Sequence, residues 1–96
     1  MMELLWTPEA IQDRDDIYDY IEADNPAAAL ALDELFSEMA SRLAEYRSLG
    51  RLGSVADTRE RVAHQNYVLV YDVIGEQVRV LRVLHAARQW PPNRSF

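Results

Sequence analysis

The side chains able to do chemistry in this chain gather in its second half. From Thr58 to Pro91 the sequence reads TRERVAHQNYVLVYDVIGEQVRVLRVLHAARQWP, with Arg59 and Arg61 in one apolar segment, Arg79 and Arg82 in another, and His85, Arg88 and Trp90 at the exit. Strands that only had to fold would not need so many cations. Guanidinium groups present planar, two-pronged donors to phosphate or carboxylate and keep their charge near neutral pH. Around a phosphodiester they would stabilise the charge of a pentavalent intermediate. A histidine with a near-neutral pKa could move the proton of a 2′-hydroxyl. Arg59, Arg61 and His85 are therefore the candidate catalytic set if the chain cleaves RNA. A lone histidine at a strand end more often serves as a structural hydrogen-bonding residue. Arg82, Arg88 and Trp90 are the candidate target-binding set; the indole could stack on a base or close over the sheet edge.

Other chemistries find no support. There is no glycine-rich phosphate loop, no nucleophile elbow and no carboxylate pair of recognisable spacing, so no cofactor is expected. The chain has no cysteine and only His64 and His85 as imidazoles. Neither a disulfide framework nor a dedicated metal site is expected.

The elements that must position these residues follow from local signals. Met2–Trp6 is a short apolar run suited to an edge strand. Thr7-Pro8-Glu9 is a helix start, with a hydroxyl cap, proline in the first turn and an acid behind it. Ala10, Ile17 and Ile21 give this helix an apolar stripe, and it should end near Ala23. Asn25-Pro26 repeats the cap-and-proline signal. Ala28, Leu32, Leu35, Met39, Leu43 and Tyr46 then recur at spacings of three and four. The two helices must form a tight antiparallel hairpin. Residues 47–57, with two glycines and no period, read as a loop. Three strands follow at Thr58–His64, Tyr67–Ile74 and Gln77–His85, with Gly75-Glu76 as the turn between the last two. The tail from Ala86 contains Pro91-Pro92 and should leave the sheet. The expectation is one α+β domain over residues 1–96, ordered β-α-α-β-β-β, with an antiparallel sheet carrying the helical hairpin on one face.

Strand residues alternate between faces. Tyr67, Leu69 and Tyr71 are the bulky set and should point at the helices. Strict alternation then leaves Val68, Val70, Val80 and Leu84 on the open face, ringed by arginines. An apolar patch with a charged rim invites a covering protein partner.

Composition bounds the rest. Ninety-six residues, nearly half of them apolar, suffice for one core. No apolar run approaches bilayer length and the N-terminus lacks the pattern of a secretory signal, so a cytoplasmic, membrane-free protein is expected. The formal net charge is −6 but it is polarised. Residues 1–46 carry twelve acids against two arginines, whereas residues 47–96 carry eight arginines against four acids. The acidic half disfavours non-specific nucleic-acid binding, and the basic half suits an anion or an acidic partner.

Taken in order, TPEAIQDRDDIYDYIEADNPAAA, Thr58-Arg59-Glu60, YVLVYDV and Leu81-Arg82-Val83-Leu84-His85 resemble the RelE/ParE superfamily of bacterial toxins over nearly the whole chain. The resemblance implies the toxin half of a type II toxin–antitoxin module. It implies growth arrest, neutralisation by a cognate antitoxin wrapped over sheet and helices, hetero-oligomers, and operator DNA contacted only through the antitoxin complex. Two targets occur in the superfamily. RelE-like members cleave mRNA on the ribosome with basic strand residues, and Arg59 and Arg61 fall where those residues lie. The next strand, however, has Val68 at a position often arginine there, and the tail has Trp90 and Phe96 but no tyrosine. ParE-like members inhibit DNA gyrase, and the His85, Arg88, Trp90 ending looks more like theirs. The first expectation is thus a ParE-like gyrase inhibitor, not an enzyme. The alternatives are a RelE-like mRNA endoribonuclease and a non-toxic domain that only binds an antitoxin.

Overall fold

The structure is a computed structural model and describes residues 3–46, 51–52, 57–64 and 66–86. Its elements are β1 (Glu3–Trp6), α1 (Pro8–Glu22), α2 (Pro26–Glu45), β2 (Arg51–Leu52), β3 (Arg59–His64), β4 (Tyr67–Ile74) and β5 (Gln77–His85). The expected α+β order and the helical hairpin are present, and the helix starts fall where the cap signals put them. Thr7 Oγ1 accepts from the Ala10 amide at 3.1 Å and Asn25 Oδ1 from the Ala28 amide at 3.1 Å. Each satisfies an amide that the first helical turn cannot.

The five strands run in the order β1-β5-β4-β3-β2. β3, β4 and β5 form the expected antiparallel meander, turning from β4 to β5 through Gly75 at a φ of 59°. That is a left-handed conformation in which glycine carries no steric penalty. Two details were not expected. β1 pairs with β5 in parallel, so the sheet is mixed, and the segment read as a loop contributes β2, a two-residue strand antiparallel to β3.

The core lies between the hairpin and one face of the sheet. Ala10, Leu32, Phe36, Ala40 and Leu43 from the helices meet Leu69, Tyr71, Val78, Val80 and Val83 from β4 and β5. The bulky β4 residues therefore face the helices as expected, but Val80 belongs with them and not on the open face. The reason is a bulge. Tyr71 pairs with Val80 while Val70 pairs with Arg82, leaving Leu81 as an extra residue in β5. One inserted residue reverses the alternation beyond it. Val78 and Val80 before the bulge and Val83 after it thus share the core face. Val68, Val70 and Leu84 do face away from the helices, but they are not an exposed patch: Val70 is only 1% exposed.

Arg14 fastens the hairpin to the sheet edge. Its guanidinium lies 4.4 Å from the Trp6 ring centroid, bonds Asp33 Oδ1 at 2.9 Å, and donates to Ser37 Oγ at 2.9 Å. One side chain thereby ties β1, α1 and α2. Thr7 acts at the same junction, since its hydroxyl also donates to the Leu81 carbonyl at 2.9 Å, beside the bulge. Replacing Thr7 with Ala removes a helix cap and a helix-to-sheet bond. It should destabilise the fold by about 1–2 kcal/mol in urea unfolding, with Thr7→Ser restoring most of the loss.

Candidate functional site

β1 ends at Trp6, opposite Val80, whereas β5 continues to His85, so the outer edge of β5 beyond Val80 needs other partners. α1 supplies them. The Thr7 amide donates to the Val80 carbonyl at 3.0 Å, the Thr7 hydroxyl bonds Leu81, and Asp13 Oδ2 accepts the Val83 amide at 2.9 Å. The same carboxylate takes two bonds from Arg82, from Nε at 2.7 Å and from Nη2 at 3.0 Å. Asp13 falls three residues after Ala10 and four before Ile17, inside the apolar stripe of α1 and not on its solvated face. An acid in that position is the signal of a paired, partly buried carboxylate. The paired Asp13 raises the pKa of Arg82, chiefly through the side-chain hydrogen bond.

Beyond this junction, α1, α2 and the ends of β4 and β5 enclose a groove of about 1040 Å³. Its floor is apolar, with Ile17, Ile21, Leu32, Leu35 and Tyr67, and its rim carries Asp13 and Asp16 on one side and His64 and His85 on the other. Tyr67 anchors the rim. Its ring makes edge contacts with Phe36 at 5.7 Å and His85 at 5.3 Å and a tilted contact with His64 at 6.2 Å. His64 Nδ1 accepts the Asn66 amide at 3.2 Å, so that nitrogen is occupied by the β3–β4 turn. Tyr20, at the groove, is 81% exposed, which is far more than a tyrosine needing only to fold would leave in water.

Arg82 lines this groove beside Asp13, whereas Arg59, Arg61 and Arg79 do not. Arg59 and Arg61 pair in register with Tyr71 and Leu69, which places them on the helix side of β3. Arg79 lies on the opposite face, where it makes a bidentate pair with Asp72 at 2.8 and 2.6 Å that raises its pKa. Arg82 is engaged by Asp13. The backbones of Arg59 and Arg61 on β3 and of Arg82 on β5 are two strands apart. His85 sits opposite Tyr67 at the end of β5, also two strands from β3. At the usual strand spacing its backbone is about 10 Å from that of β3. Arg88 and Trp90 lie outside the described residues.

Solved structures with this arrangement define the class. The chain matches a chain of the chromosomal ParDE toxin–antitoxin system from P. aeruginosa at a TM-score of 0.79 and 27% identity, covering 88% of this chain and 96% of that one. It has the same fold as the YoeB/ParE toxin from Agrobacterium tumefaciens, with a TM-score of 0.64, 17% identity, and 88% and 98% coverage. In sequence it is 39% identical to toxin RelE2 of Caulobacter vibrioides over 88 residues, 92% of this chain and 99% of the relative. It is 40% identical to the Y4kP protein of Sinorhizobium fredii over 87 residues, 90% of each chain. Residues 4–90 match the family of ParE toxins of type II toxin–antitoxin systems, parDE, and the chain belongs to that family.

Asp13 is the residue on which the site's geometry turns. Asp13→Ala leaves the Val83 amide and the Arg82 guanidinium without their acceptor and should cost about 2–3 kcal/mol in denaturant unfolding; Asp13→Asn, which keeps one acceptor, should cost about half of that. Because the Arg82 pKa is raised in the fold, its contribution is complete below its unfolded pKa and is lost only as pH climbs through the folded value, in strong alkali. The difference between wild type and Asp13→Ala should accordingly stay level between about pH 7 and 9.

Proposed function

We propose that this chain arrests bacterial growth by inhibiting DNA gyrase and is neutralised by a cognate antitoxin. The observation that carries the gyrase reading is the separation of the chemistry-bearing groups. A ribonuclease site needs cations and a proton-transfer group around one phosphodiester, within hydrogen-bond reach of its atoms. Here Arg59 and Arg61 lie two strands from His85, and Arg82 is committed to Asp13. Inhibition by binding asks for no such constellation. Membership of the ParE family supports the same reading.

In this reading the antitoxin engages the groove between the helical hairpin and the end of the sheet, where an apolar floor is open to a partner side chain or helix. Val68, Val70 and Leu84, buried on the far face, and Val80, in the core, do not form the first contact surface. The gyrase-directed residues are proposed to be Arg88 and Trp90, with Arg82 holding the end of β5 from which they depart. The assembly is a toxin–antitoxin hetero-oligomer in the cytoplasm.

A second reading has its own support. Arg59 and Arg61 are free of ion pairs among the described residues, and one relative bears the name RelE2. A ribosome-dependent mRNA endoribonuclease would use those two cations on the transcript. The two readings diverge on induction of this chain alone in bacteria, with DNA and protein synthesis followed in parallel. The gyrase reading expects replication to stop first, with an SOS response. It expects Arg88→Ala or Trp90→Ala to relieve the arrest at least tenfold more than Arg59→Ala. An immediate stop in translation with cleaved mRNA, abolished by Arg59→Ala or Arg61→Ala, would replace it with the nuclease.

A further inference from the structure

Charge pairing in this protein is uneven. Of the arginines whose side chains are described, Arg14 pairs with Asp33 at 2.9 Å, Arg79 with Asp72 at 2.6 Å, Arg82 with Asp13 at 2.7 Å and Arg42 with Glu38 at 3.7 Å. Arg59 and Arg61 have no ion pair and no side-chain hydrogen bond among the described residues. Arg61 Nε is in addition shut off from solvent without a hydrogen-bond partner. In a chain with sixteen carboxylates against ten arginines, acids are in excess. A buried N–H donor with no acceptor is costly, and such groups in folded proteins call for an explanation.

We propose that Arg59 and Arg61 form a two-point oxyanion site on the helix side of β3, taking two carboxylates from an extended acidic segment of the protein partner. The two side chains leave the same face of one strand, two residues apart, so their origins are about 6.6–6.8 Å apart. Acidic side chains at alternate positions of an extended peptide have that same repeat. The cross-strand neighbours of the two arginines, Tyr71 and Leu69, are both fully buried core residues, so the cations stand at the margin of an apolar surface. A weakly hydrated guanidinium on such a background binds carboxylates in a paired geometry. Arg61 Nε is covered, so a carboxylate reaches it only by displacing the groups over it, and then supplies the acceptor that it lacks.

A peptide suits this site better than a nucleic acid. Polyanion affinity grows with the number of phosphates neutralised. Two cations neutralise two, and the helices packed on the same side of the sheet belong to the half of the chain that carries twelve acids against two arginines. The identity of the partner as the antitoxin rests on the proposed function; the site itself does not.

The full chain, labelled with ¹⁵N, is titrated while its arginine Nε–Hε resonances are followed, with those of Arg59 and Arg61 assigned from Arg59→Gln and Arg61→Gln. The probes are a capped decapeptide containing Glu-Val-Glu, the same peptide with Gln-Val-Gln, and a ten-nucleotide single-stranded uridine RNA. The expected result is saturable shifts of both resonances with the Glu peptide, at least tenfold weaker binding of the Gln peptide and the RNA, and at least tenfold weaker binding of the Glu peptide to each variant. Arg42→Gln, which removes the same charge from an exposed helix position, should leave the affinity unchanged. Tighter binding of the RNA at the same resonances, or no shift with the Glu peptide at millimolar concentration, would overturn the site. Failure of growth arrest on induction would instead overturn the toxin reading and leave this titration standing.

Discussion

The fold depends on how the edge of β5 is finished. β5 is nine residues long and β1 covers only its first four, so the backbone groups beyond Val80 would face the outside unpaired. α1 takes over where β1 stops, through the backbone and hydroxyl of Thr7 and then the carboxylate of Asp13. The Val80 and Leu81 carbonyls and the Val83 amide, which would otherwise be stranded at the edge, are thereby satisfied. The constraint reaches further than the edge. Because Asp13 bonds both the Val83 amide and the Arg82 guanidinium, it sets the angle of α1 across the sheet, the exit of β5 and one wall of the groove together.

The distribution of arginines follows from that division of labour. Arg14, Arg79 and Arg82 each hold a junction against a carboxylate partly withdrawn from water, and their chemistry is spent on structure. Arg42, exposed and at 3.7 Å from its partner, contributes little in either direction. What remains for a partner among the described residues is the β3 pair on one side and the groove with its histidine and tyrosine rim on the other. These are separate surfaces.

Much of this was legible in the sequence, for local reasons. Thr7-Pro8 and Asn25-Pro26 carry their helix starts within a few residues, and Gly75-Glu76 marks its turn by backbone freedom alone. Tyr67, Leu69 and Tyr71 announced the core face by bulk. The family signal rested on several weak pieces in the right order, from Asp24-Asn25-Pro26 to Leu81–His85, and the comparisons bear it out. What was hidden was non-local. The bulge at Leu81 moves Val80 across the sheet, and nothing in a run of valines and leucines distinguishes a bulged strand from a regular one. The parallel pairing of β1 and the two-residue β2 are set by partners distant in sequence. Asp13 was within reach: its place in the apolar stripe of α1 marks it, but the surrounding Asp15, Asp16 and Asp19 make the whole run look like a solvated face.

The proposed action on gyrase and the alternative cleavage of RNA make opposite demands on purified components. The most direct measurement is supercoiling of relaxed plasmid by purified gyrase in the presence of the purified chain, alongside mRNA integrity on programmed ribosomes. Gyrase inhibition predicts a concentration-dependent loss of supercoiling with the ribosome-bound message intact. Full gyrase activity at saturating protein, together with cleavage of the message, would contradict it.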